Sequence, residues 1–128
     1  MTQRNIDIMD AIVNELANKP LSQALKTVYS KRWVMIPLKH INTDVEIETL
    51  GLNARTLHAL KRTHLNTIYQ VIEYGNANGF KNIRNFGMNS GIELFESILD
   101  WCWDNMDIEQ KTQFLIDTVE RNTDNIRM

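Results

Sequence analysis

Two short blocks constrain this protein more than any other feature. Leu50-Gly51-Leu52-Asn53-Ala54-Arg55, running on to Thr67-Ile68, and Ile83-Arg84-Asn85-Phe86-Gly87-Met88-Asn89-Ser90 each read as a tight turn feeding a helix start. Between them the apolar spacing is helical, so this stretch is limited to short helices joined by tight turns. Turns that aim backbone N–H groups and an arginine at one surface suit phosphate. Nucleic acid is therefore the first class of partner to consider.

The rest of the sequence is nearly all helical in pattern. Ile6, Ile8, Met9, Ile12, Val13 and Leu16 recur at helical spacing and predict an amphipathic helix over residues 4–18. Pro20 ends it or opens the next, which carries Leu21, Ala24, Leu25 and Val28 to Tyr29. Trp33-Val34-Met35-Ile36-Pro37-Leu38 is β-branched and aromatic-rich, and Pro37 disfavours helix, so it reads as an extended buried connector or a short strand. Helices follow over Ala54–Arg62 and from Ile68, the second capped by Asn66 or Thr67 and broken by the cluster Gly75-Asn76-Ala77-Asn78-Gly79. A short helix around Phe80–Ile83 and a turn over Arg84–Met88 come next. Asn89 or Ser90 then caps a longer helix with Ile92, Phe95, Ile98, Leu99 and Cys102 inside, and Asp107 caps a last helix with Ile108, Leu115 and Val119 facing inward. Leu50, Leu52, Leu57, Leu60, Leu65, Ile68, Ile83, Phe86 and Phe95 are core by default. Trp101 and Trp103 point to opposite sides of their helix.

Composition narrows the function. With 43% apolar residues in 128, the sequence supports a core and is not a disordered tail. A net charge of −2 argues against a wholly basic nucleic-acid coat. Its distribution is more telling. Residues 1–50 balance, residues 51–90 set Arg55, Lys61, Arg62, Lys81 and Arg84 against Glu73 alone for a net of +4, and residues 91–128 carry −6. A basic middle beside an acidic end either steers a polyanion to one face or is two solvated surfaces. Cys102, the lone cysteine, excludes an internal disulfide and fits a cytoplasmic protein with an inert buried thiol. No signal peptide, membrane span, metal-ligand spacing among His40, His58, His64 and Cys102, or cofactor motif is visible.

The run from Ile47 to Ile68 resembles the C-terminal domain of the bacterial RNA polymerase alpha subunit. That family reads Leu-x-Leu, a variable pair, Arg, three variable residues, Leu-Lys-Arg, a turn, then Ile-Asn-Thr, which Leu50-Gly51-Leu52, Arg55, Leu60-Lys61-Arg62 and Leu65-Asn66-Thr67 follow without a gap. The second block is similar to the family's Arg-Asn-Leu-Gly-Lys-Lys-Ser and a helix with an early glutamate. The resemblance covers Val45 to Trp101. It implies an all-α fold with a helix-hairpin-helix module over residues 45–104; the N-terminal helical extension over 1–44 and the C-terminal helix over 105–128 lie outside it and rest on their apolar spacing.

The resemblance further implies a non-catalytic DNA-binding protein of transcription, bacterial or phage-borne, that contacts the A·T-rich minor groove. Its DNA-contacting arginine falls on Arg55, its glycine of the second turn on Gly87, its serine on Ser90 and its early-helix glutamate on Glu93. The sequence also departs from the pattern. The family's asparagine is His58, with Ala59 beside it, and its two lysines are Met88 and Asn89. The implied DNA-binding set is thus Arg55, His58, Ala59, Gly87, Asn89, Ser90 and Glu93. His58 reads equally as a surface residue, a groove contact or a partner contact. Losing two lysines removes up to about two units from the salt dependence of binding, so weak DNA affinity is expected. The alternative is a protein-interaction module for RNA polymerase subunits or a transcription regulator, with little DNA affinity. No phosphate loop, nucleophile elbow or paired-cysteine motif appears, so an enzyme is the weakest reading.

Overall fold

A computed structural model describes residues 1–30, 34–78, 80, 83 and 87–123. Six α-helices run through them: α1 (Gln3–Leu16), α2 (Leu21–Tyr29), α3 (Ala54–Arg62), α4 (Ile68–Asn78), α5 (Met88–Asp104) and α6 (Ile108–Arg121). Trp33, most of the expected Phe80–Ile83 helix, and Phe86 with the first residues of the turn before α5 lie outside the described residues. Within them the fold is all-α, as expected, with one isolated antiparallel bridge between Glu46 and Thr67.

Local chemistry sets the helix ends. Thr2 caps α1 by accepting from the Asn5 N–H. Asp107 caps α6 in a full capping box, with Gln110 N–H on its carboxylate and its own N–H on the Gln110 side chain. Thr67 and Gln70 exchange the same pair of bonds at the start of α4. Between α3 and α4 the backbone turns through His64 at φ 62°, where the His64 N–H reaches Lys61 O and the Leu65 N–H reaches Leu60 O. That is a Schellman turn, and its hydrophobic partners Leu60 and Leu65 are both buried.

Three helix details differ from the sequence reading. The glycine–asparagine cluster breaks α4, as expected, but late: the helix runs through buried Gly75 to Asn78. Interior glycine costs about 1 kcal/mol, less than the burial of Ile68, Val71 and Ile72 in the same helix returns. α5 starts at Met88 with Gly87 as its cap, so Asn89 and Ser90 occupy the first turn and are not caps. Ile108 is 81% exposed, because the first turn of α6 carries it clear of the core that Leu115 and Val119 join.

The buried residues form one cluster reaching from Ile8 in α1 to Val119 in α6. α1 packs on α2 and α6, and α2 packs on α5. Pro20 offers no polar side chain to the start of α2, so α5 supplies the cap: Asp100 accepts from Ser22 N–H at 2.9 Å and Ser22 Oγ at 2.8 Å. One turn back on α5, Glu96 accepts from Gln23. The connector at 34–37 is extended, as expected, with Val34 and Ile36 buried. No strand pairs with it among the described residues. Instead two side-chain amides satisfy its backbone: Asn122 bonds both Met35 N–H and Met35 O, and Asn76 bonds both Ile36 N–H and Ile36 O.

His40 lies 2.9 Å from Asp117 on α6 and meets Phe114 edge to face. Burial pushes the Asp117 carboxyl up, but hydrogen bonds from His40 and Gln113 outweigh it and hold the group below its ordinary 3.8. A depressed carboxylate stabilises the fold above its unfolded value, and that contribution disappears as the pH falls through the folded one. Asp117→Asn is expected to cost about 1 kcal/mol at pH 7. Urea titrations of both proteins should show the gap closing as the pH falls from 4 toward 2.

Candidate nucleic-acid interface

Two helix N-termini and a link between them form the site. Asn53 caps α3: its Oδ1 accepts from Thr56 N–H at 2.9 Å. Its Nδ2 donates to Glu93 Oε2 of α5 at 2.8 Å, and its N–H approaches Glu93 Oε1 at 3.5 Å. One asparagine thus ends one helix and ties it to the first turns of the other. The sequence reading placed Asn53 in a turn but gave it no role; its position just before Ala54 was the only signal.

Arg55 and His58 are exposed on α3, and Arg62 follows them. Spacings of three and seven residues put all three on one outward face, away from buried Thr56, Ala59 and Leu60. Among the described residues none of the three side chains takes part in an ion pair or hydrogen bond. Lys61 is neutralised by Glu48, whose carboxyl its hydrogen bond holds below the usual range. The unneutralised charge on α3 is therefore confined to one face.

Of the other expected contacts, Gly87 and Asn89 are exposed and Ser90 is half-buried, all at the start of α5. That helix start has no capping side chain. Glu93 faces Asn53 and acts as a brace. Ala59 does not belong to the surface: it is 2% exposed, packed in the core by the inward side of α3. Among the described residues no group of histidine, cysteine and carboxylate side chains is placed to hold a metal ion. Cys102 is buried, and burial pushes its thiol up to about 12, which leaves it unreactive.

The two turn glycines differ in what the fold asks of them. Gly51 sits at φ +64°, where a side chain is strained by about 1 kcal/mol. Gly87 is extended at φ −85°, and a Cβ there would meet nothing within 4 Å. Gly51→Ala should therefore lower stability by about 1 kcal/mol, whereas Gly87→Ala, with open space for its Cβ, should lose only the preference for glycine over alanine at a helix cap, about 0.5 kcal/mol. A loss of DNA affinity in the second variant would then belong to the surface alone.

Residues 36–99, half of the protein, match the family of the C-terminal domain of the bacterial RNA polymerase alpha subunit. The protein belongs to that family. The match begins at Ile36, in the clamped connector, and so extends further toward the N-terminus than the motif resemblance did. A DNA-directed RNA polymerase subunit alpha of Trieres chinensis is 33% identical over 60 residues, 47% of this protein and 19% of that one. The sequence thus spans about a fifth of that relative's length. No solved structure matches. Members of the alpha C-terminal domain family are non-catalytic DNA-binding and interaction modules of transcription. Among the described residues no helix is long and apolar enough to cross a membrane.

Proposed function

We propose that this alpha C-terminal domain relative is a non-catalytic, cytoplasmic DNA-binding protein of transcription that grips the A·T-rich minor groove through the N-termini of α3 and α5. The observation that carries the reading is the Asn53–Glu93 link, which joins both helix starts into one platform beside the unpaired Arg55. A guanidinium suits a narrow, electronegative groove, and uncapped backbone N–H groups suit flanking phosphates. Arg55 would enter the groove, Gly87, Asn89 and Ser90 would meet phosphate, and Glu93 would hold the platform.

Binding is expected to be weak and steeply salt-dependent. Fluorescence anisotropy with a labelled A·T-rich duplex should give a log–log salt slope between about −1 and −3. A second reading has its own support: the first turn of α5 has no basic residue, and Glu93, Glu96 and Asp100 run along the same helix. On that reading the module binds RNA polymerase subunits or a transcription regulator. Absence of duplex binding even at low salt would favour it.

A further inference from the structure

We propose that His58 is a DNA-facing cation whose protonation is coupled to duplex binding, so that the protein's affinity for DNA rises as the pH falls from 8 to 6. The inference rests on the DNA-binding reading above. His58 is exposed one turn beyond Arg55, on the face that Arg62 continues. The charged groups that adjoining elements bring to α3 are engaged elsewhere. Glu93 of α5 is bound to Asn53 at the α3 cap, and Glu48 is bound to Lys61, three residues beyond His58. Among the described residues no carboxylate is bonded to or ion-paired with His58, and the anion that would pair with an imidazolium is the partner's.

A duplex brings that anion as a row of phosphates. Phosphate beside the ring attracts the imidazolium and does not attract the neutral form, so binding takes up a proton from solvent. Imidazole is the side chain whose charge changes in this pH range. The other two histidines serve as controls: His40 is bonded to Asp117, and His64 holds the turn between α3 and α4.

The test is anisotropy of the full-length protein with a labelled A·T-rich duplex at fixed ionic strength, from pH 8 to 6. The parent should bind about three- to tenfold more tightly at pH 6 than at pH 8. His58→Asn should be flat across this range, whatever its affinity at pH 8, whereas His64→Asn should keep the parent's slope. A flat parent, or the same slope in His58→Asn, would overturn the proton link, while Arg55-dependent binding in the same data would leave the DNA-binding reading standing. No binding by the parent at any pH and low salt would overturn both.

Discussion

Arg55→Ala is expected to weaken binding to an A·T-rich duplex by about ten- to hundredfold, the cost of losing one groove-reading arginine. The effect is large because, among the described residues, the two helix starts hold few cations in reserve. The first turn of α5 contributes none, and Lys61 is held by Glu48. Arg55 has no partner among the described residues, so its removal leaves no buried group unpaired and the melting temperature should not move. Arg55→Lys should recover only part of the affinity, because an ammonium keeps the charge but not the planar fork. Anisotropy and thermal melts on the same preparations separate loss of contact from loss of fold. Unchanged affinity in Arg55→Ala would mean that the duplex is held in some other way.

The largest stability loss is expected at Asn122→Ala. Asn122 is 1% exposed, and its amide bonds Met35 N–H at 2.7 Å, Met35 O at 2.8 Å and Thr118 O at 2.8 Å. Alanine leaves Met35 N–H and Met35 O without the amide that pairs them, while Thr118 O keeps only the residue-122 N–H. The cost is about 3 kcal/mol, which lowers the melting temperature by about 10 °C. Asn76→Ala, which unpairs Ile36 in the same way from a less buried position, should cost less. The two variants together measure how firmly the connector holds the first two helices to the rest of the protein.

Local signals in the sequence were enough to find most of the helices. Asp107 before Ile108 is a side chain that caps whatever its surroundings, and α6 starts where it predicts; α3 starts at the expected Ala54, though the capping role of Asn53 was not read. The cluster Gly75–Gly79 broke α4 where expected, though only at Asn78, because packing outweighed the backbone cost of Gly75. Gly87 was read as a turn glycine, but it caps α5 itself, so the helix begins before Asn89 and Ser90. The connector was legible as extended. What it pairs with was not, since Asn76 and Asn122 lie far from it in sequence and reach it only through the fold. The same holds at the site. Arg55, His58 and Gly87 came from motif spacing, whereas the Asn53–Glu93 link joins residues 40 positions apart. Ala59 is buried: the motif names a position and not the side of the helix that faces the core.

The most direct test of the DNA-binding platform is an NMR titration of isotope-labelled protein with an A·T-rich duplex at low and moderate salt. Shifts at Arg55 and His58 of α3 together with Gly87, Asn89 and Ser90 of α5, fading as salt rises, are the predicted result. Ala59 and the Trp101–Trp103 region should stay still. No shift at either helix start, even at low salt, would contradict the platform and leave a protein partner as its purpose.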